Sequence, residues 1–165
     1  LLLLNVPPNT DGLICETDVR RLLEFRAELD RIFNTDLAAG KSATASSTHE
    51  NHAAFGPAAA LDSNPDTCWA SDAGAAPAWL EVDLGQPVTF NTASMQEAIA
   101  LGQRVAEYHL EYRDADGWNT IVRGTTIGHK KLDRFQPVTA QLVRLVIDRA
   151  RACPAIAGFS LYKSD

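Results

Sequence analysis

The chain has 165 residues, 45% of them hydrophobic and 22% charged, with a net charge of −6. That is room for one ordinary domain, or one domain and part of another, and enough length to bury a core without metal or disulfide staples. The composition excludes disorder and collagen-like repeats, and the acidic balance argues against a nucleic-acid surface and against a polybasic membrane patch. Met95 is the only methionine and the chain opens at Leu1, which predicts a processed form or an excised fragment.

Residues 1–4 are all leucine. The run is far shorter than the ~20 residues that span a bilayer. It has no basic flank and no small-residue cleavage site, so it is read as a buried strand and not as a signal peptide. Residues 5–12 (NVPPNTDG) are dense in turn formers, and each proline disfavours helix in the residue before it. A helix follows. Val19, Leu22, Leu23, Leu29 and Phe33 recur at offsets of three, four and their sums, giving one apolar stripe. Thr17 or Asp18 is expected to cap its start, because short oxygen-bearing side chains suit the free N–H groups there. The arginines and acids of the other face read as solvation and weak pairing.

From Leu37 onward the helical period fades. Residues 78–85 (AWLEVDLG) alternate, with Leu80, Val82 and Leu84 on one face and Glu81 and Asp83 on the other. Further strands are expected at 88–95, 105–112, 118–123, 141–148 and 156–162, each bounded by Gly, Pro, Asn or Asp. Residues 114–117 (DADG) read as a hairpin turn between two of them. Many short strands at this spacing predict an all-β fold built as a β-sandwich. Cys15, Cys68 and Cys153 are too few and too widely spaced for a disulfide framework or a zinc pattern. Two readings stand: three small buried hydrophobes, or a Cys68–Cys153 bridge.

Several stretches resemble known families. From Ala45 to the C-terminus the chain resembles a coagulation factor 5/8 type C domain, also called discoidin-like or a family 32 carbohydrate-binding module. The carriers are ASS at 45–47, ALDSNPDTCW at 60–69, AWLEVDLG at 78–85, VRL at 143–145, and the closing stretch from Pro154 to Tyr162. Residues 1–36 resemble the end of the catalytic barrel of family 29 α-L-fucosidases, through LLLNVPPN at 2–9 and DGLI at 11–14. MQE at 95–97, LGQRV at 101–105 and TTIGHK at 125–130 carry the same flavour into the β-domain. The resemblance implies a discoidin-like jelly-roll sandwich at 37–165, preceded at 1–36 by a strand-turn-helix remnant of a (β/α)8 barrel.

It also implies a boundary on function. A retaining glycosidase needs two carboxylates about 5–5.5 Å apart, and in these fucosidases both come from the barrel, upstream of this sequence. No catalytic residue is therefore assigned in the chain, and no hydrolysis is expected of it alone. The implied role is a non-catalytic module packing on a catalytic barrel of the same polypeptide. The alternative is an independent lectin-like module for galactose- or fucose-containing glycans. No nucleic-acid or membrane partner is expected, and the implied setting is secreted, periplasmic or lysosome-like.

Three groups of site residues follow. In the resembling modules the loop that carries Asp62, Asn64 and Thr67 wraps a structural Ca²⁺, completed by a residue near the last strand. A cation that takes about 6–8 oxygen ligands suits such a loop. Here Gly158 stands where an acidic ligand is expected, which weakens the site and leaves it to lean on the carbonyls of Ala59 and Ala157, or to hold sodium or water. An Asx-turn that only satisfies backbone N–H groups is the competing reading. For carbohydrate the loop candidates are His49, Asn51, His52 and Phe55, with plain solvent exposure as the alternative for the histidines. Glu97, Gln103 and Arg104 are expected at the contact with the catalytic domain. Trp69, Trp79 and Trp118 read as packing residues, and His129 and Lys130 as loop surface.

Overall fold

The computed structural model describes residues 3–74 and 77–164. The chain divides into two compact units, Leu1–Thr35 and Asp36–Ser164. No helix among the described residues is long and apolar enough to cross a membrane.

In the first unit Asn9 organises the turn. Its side-chain Oδ1 accepts the N–H groups of Asp11 and Leu13, each at 2.9 Å, and its carbonyl accepts the N–H of Gly12 at 3.0 Å. Gly12 sits at φ +76°, where a Cβ would be strained. A single antiparallel bridge joins Pro8 to Ile14. The helix α1 then runs Glu16–Phe33. The expected cap is corrected: Cys15 is the N-cap, with no side-chain bond. Its carbonyl accepts the N–H groups of Asp18 and Val19 at 2.9 and 3.0 Å, so the first turn closes before Thr17 or Asp18 can cap it. Glu16 and Asp18 still favour that end through the helix dipole.

The helix buries none of its residues. Leu3 and Leu4 are 92% and 52% exposed and lie outside any strand. The buried strand expected at 1–4 is therefore absent at 3–4, while Leu1 and Leu2 lie outside the described residues. A strand needs a neighbour for its N–H and C=O groups, and none runs beside these two among the described residues.

The second unit is an antiparallel β-sandwich. Its strands are β1 (Ser42–Ala45), β2 (Trp69–Ala70), β3 (Ala78–Glu97), β4 (Val105–Arg113), β5 (Trp118–Gly124), β6 (Lys131–Ala150) and β7 (Ala155–Tyr162). By hydrogen bonding they form one path, β2-β7-β3-β6-β4-β5, with β1 added on β3. Two layers arise because β3 and β6 are each 20 residues long and serve both. Residues 78–83 of β3 lie between β1 and the second half of β6, which continues to β4 and β5. Residues 88–95 pair with the first half of β6 and residues 92–97 with β7, with β2 beyond β7.

The joint lies at 84–87, where the ladder jumps from Asp83↔Leu142 to Val88↔Ala140. Gly85 supplies φ +84° there, and its N–H is held by Asp83 Oδ1 at 2.8 Å. Leu80, Val82, Leu84, Phe90, Ala93 and Met95 of β3 all enter one core with Tyr108, Leu145, Ile147, Phe159 and Leu161. Fully burying a side chain of this size is worth roughly 1.5–3 kcal/mol. Gly124 faces Tyr108 across β4 and β5, and a Cβ at 124 would lie 2.4 Å from the tyrosine ring. The Tyr108 hydroxyl donates to Asp133 Oδ2 at 2.6 Å.

Candidate functional site

The loops at one end of the sandwich carry the expected site residues. Phe55, Asp66, Glu97, Ile99, Leu101 and His129 meet along a groove of about 480 Å³. Ile99 and Leu101 are 46% and 52% exposed. Residue type alone does not mark Ile99 as part of a site, because a short apolar run inside a loop has no period.

Glu97 holds this end together. It is 4% exposed. Its Oε1 accepts the N–H groups of Arg104 and Val105 at 2.7 and 2.8 Å, and its Oε2 accepts that of Gly128 at 2.6 Å. The carboxylate thus ties the end of the 98–104 loop and the middle of the 125–130 loop to the end of β3. Arg104 also bonds inward, its Nη1 donating to the carbonyl oxygen and the Sγ of Cys153 at 2.9 and 3.0 Å. Gln103 is exposed.

All three cysteines are free. The ladder pairs Trp69 with Ile156 and Ala70 with Ala155, and Ser71 donates to the carbonyl of Pro154. Cys68 and Cys153 are unbridged, yet the Cys68 thiol lies near enough to Arg104 and Cys153 to feel both. Cys68 packs with Ala70, Ala155 and Ala157, and burial pushes its thiol up.

Residues 49–55 form two short 3-10 turns. Glu50 and Asn51 both take left-handed backbone, at φ 50° and 53°, a conformation that costs on the order of 1 kcal/mol per residue. Glu50 N–H is anchored on Asp72 Oδ1 at 3.0 Å. The rings of His49 and His52 pack against Phe55 at 5.6 and 5.9 Å. Nδ1 of His49 is buried with no hydrogen-bond partner among the described residues. Asn51 and His52 are exposed, and Phe55 is half-buried. Three of the four expected residues thus form one aromatic cluster, with Asn51 beside it.

The Asp62 loop is closed by its own side chains. Asp62 Oδ1 accepts the N–H of Asn64 at 2.8 Å, and Asn64 Oδ1 accepts that of Asp66 at 3.0 Å. The Thr67 hydroxyl lies 2.7 Å from Asp62 Oδ2, 3.0 Å from the Asn64 carbonyl and 3.4 Å from that of Ala59. Oxygens spaced about 3 Å apart suit neighbouring ligands of a cation bound at about 2.3–2.6 Å. The donor set fits Ca²⁺ in kind, with Asp62 as its only formal charge. On β7 the register steps from Glu97↔Ile156 to Gln96↔Gly158, leaving Ala157 out of the β3 ladder. Among the described residues no cluster of three His, Cys, Asp or Glu could hold a metal, so an ion here would rest on the Asp62 carboxylate with hydroxyl and carbonyl oxygens.

The tryptophans pack. Trp69 is fully buried, with Nε1 donating to the carbonyl of Ser47 at 3.0 Å. Trp79 and Trp118 hold the Arg144 guanidinium between them, 4.5 and 3.9 Å from their ring centres. Arg144 also pairs with Glu81 at 2.7 Å and Glu111 at 3.3 Å.

Comparison with known proteins agrees with this architecture. α-L-Fucosidase 1 of Arabidopsis thaliana is 38% identical over 98% of this chain, which covers 33% of that protein. The chain thus spans about a third of the length of the curated relatives it matches. A Ruminococcus gnavus GH29 fucosidase in complex with fucose is 34% identical with a TM-score of 0.88, covering 99% of this chain and 33% of that one. Chitosan-binding module 1 of a Paenibacillus chitosanase/glucanase is 28% identical with a TM-score of 0.70, covering 78% of this chain and 98% of that module. The family model for the F5/8 type C domain matches residues 42–158. That span holds every strand of the sandwich except the second half of β7, residues 159–162, and by it the chain belongs to the F5/8 type C domain family.

Proposed function

We propose that this chain is the non-catalytic C-terminal part of an α-L-fucosidase, in which the sandwich packs on a catalytic barrel of the same polypeptide. The observation that carries the reading is the extent of the similarity. Both units together match fucosidases over 98–99% of the chain, while covering about a third of those proteins. The first unit adds support: Leu13, Ile14, Leu23 and Phe25 are all more than 40% exposed, the surface that further chain would cover. Gln103, exposed on the loop before β4, and Arg104 are proposed at that contact, and Glu97 acts by shaping the loops around them. The test is turnover of an aryl α-L-fucoside by the purified chain. No release above the uncatalysed rate is expected, and enzyme-like turnover would overturn the reading.

A second reading is a lectin-like role for residues 49–55. It is favoured by two adjacent left-handed residues beside an aromatic cluster, because backbone strain persists where the surroundings hold it for a purpose. Calorimetry with fucose and galactose tests it, and no heat at millimolar sugar would remove it. With either role we propose a structural Ca²⁺ in the Asp62 loop, held by Asp62, Thr67 and the carbonyls of Ala59, Asn64 and Ala157. It would supply loop rigidity and no chemistry. The proposed setting is secreted, periplasmic or lysosome-like, where glycans are met.

A further inference from the structure

The outer face of the layer that contains β7 carries a second cavity, of about 390 Å³. It adjoins the groove above across Gln96 and Ala157 and includes none of residues 49–55. Its floor is a set of cross-strand pairs. Ser94 faces Ser160 and Gln96 faces Gly158, with Thr92 opposite Tyr162 beside them. Their neighbours Ala93, Met95, Phe159 and Leu161 belong to the core, so by strand alternation these side chains point outward. An outward sheet face usually carries long charged residues. This floor carries hydroxyls, one amide and a bare glycine, and is therefore low.

The walls are higher. Ser63 and Pro65 of the Asp62 loop stand on one side, and Lys130, just before β6, on another. Asp36 closes a third side, where its Oδ1 accepts the N–H groups of Ala38 and Leu161 at 2.9 and 3.1 Å. The volume lies within the range of roughly 300–1,000 Å³ of small-ligand sites. Ser94 is only 6% exposed, so a hydrogen bond made there competes weakly with water. The Tyr162 phenol and the Ser160 hydroxyl share a hydrogen bond, so they present one linked polar edge to the cavity. Lys130 and Asp36 offset each other in charge. What fits is a ligand with many hydroxyls and no net charge.

We propose that this cavity binds a neutral sugar residue of a glycan, with Ser94, Gln96, Ser160 and Tyr162 as hydrogen-bonding groups and Lys130 at the rim. The proposal rests on the reading that the sandwich meets glycan, and gives that contact a different place from residues 49–55. Gly158 is the position that tests it. A Cβ there would make ordinary 3.4–3.5 Å contacts with the Gln96 side chain, so the backbone at 158 accepts a side chain, and Gly158→Leu is chosen to fill the cavity.

The experiment is calorimetry of the whole chain with L-fucose, D-galactose and N-acetylglucosamine, followed by hydrogen exchange with the best ligand. Binding by at least one sugar is expected, weakened tenfold or more in Gly158→Leu and several-fold in Lys130→Ala, with unchanged melting in both. Exchange should slow at residues 92–96 and 158–162. Binding that survives Gly158→Leu, with protection at 49–55 instead, overturns this proposal and leaves the lectin-like reading standing. No heat with any sugar overturns both. Should Gly158→Leu fail to fold, the Lys130→Ala affinity and the protection map decide alone.

Discussion

The two units bury their apolar residues in opposite ways. In the sandwich, Leu80, Phe90, Leu110, Leu145 and Leu161 are 0% exposed and share one core. In the first unit, an 18-residue helix with a clear apolar stripe buries nothing. Its ion pairs, such as Arg26–Asp30 at 2.9 Å, are exposed and add only a few tenths of a kcal/mol each. The same period of apolar residues can therefore mark a helix without supplying what holds it, since helix stability in proteins comes mostly from packing.

The largest expected effect sharpens this contrast. Leu145→Ala should cost the chain about 3 kcal/mol, through lost burial and a cavity. Leu23→Ala, on a residue 65% exposed, should change stability by less than about 0.5 kcal/mol. Urea unfolding of both variants measures the difference, and equal losses would break the comparison. Glu97→Ala comes next. It strips the acceptor from three backbone N–H groups, and should cost about 2–3 kcal/mol. Glu97→Gln should cost less, because the amide oxygen still serves one side of the clamp.

Two glycines carry the contrast to a smaller scale. Gly124→Ala should cost roughly 1–3 kcal/mol by forcing the Tyr108 ring aside. Gly12→Ala meets no atom within 4 Å, and should cost about 1 kcal/mol from its left-handed backbone alone. Thermal melts distinguish the two if Ala at 124 is relieved by Tyr108→Ala, while Ala at 12 is not.

The smallest expected effect is one of pH. Burial, then the bond to Asp133, pushes the Tyr108 phenol up. Its folded pKa exceeds the unfolded one, so its contribution is intact below the ordinary tyrosine value of about 10 and is lost as pH rises beyond it. Above that value only the unfolded chain readily gives up the proton. Wild type should therefore lose stability between about pH 10 and 11 faster than Tyr108→Phe, as followed by urea unfolding across that range.

The sequence made the sandwich legible where strands are half-buried. The alternation at 78–85 marks the first half of β3, and the hairpin at 114–117 closes as expected, with Asp114 N–H on the Gly117 carbonyl at 2.9 Å. Residues 84–87 looked like a break, because Gly85 and Pro87 end most strands. The structure carries β3 through them as a bulge, which local propensity does not foresee. Residues 131–140 were missed for a related reason: Lys131, Asp133 and Arg134 hide the pattern, and Pro137 reads as a stop. The β1 strand and the two-residue β2 are too short to show a period.

The site was half legible. The loop stretch at 49–55 and the Asp62 turn could be marked by residue type. The Glu97 clamp could not, since its three partners are backbone groups and leave no trace in composition. The cavity over Ser94 and Ser160 was equally hidden, because small polar residues on a strand look like an unremarkable wet face. Only the register brings Ser94 opposite Ser160 and Gln96 opposite Gly158.

Hydrogen exchange of the whole chain tests the contrast between the two units most directly. Amides of β3 and β6 at Val82, Phe90, Val143 and Leu145 should exchange only through global unfolding, slowed by several orders of magnitude. Those of α1 should exchange through local opening, far faster, because the helix has no buried face. Protection of α1 equal to that of β6 would contradict the account.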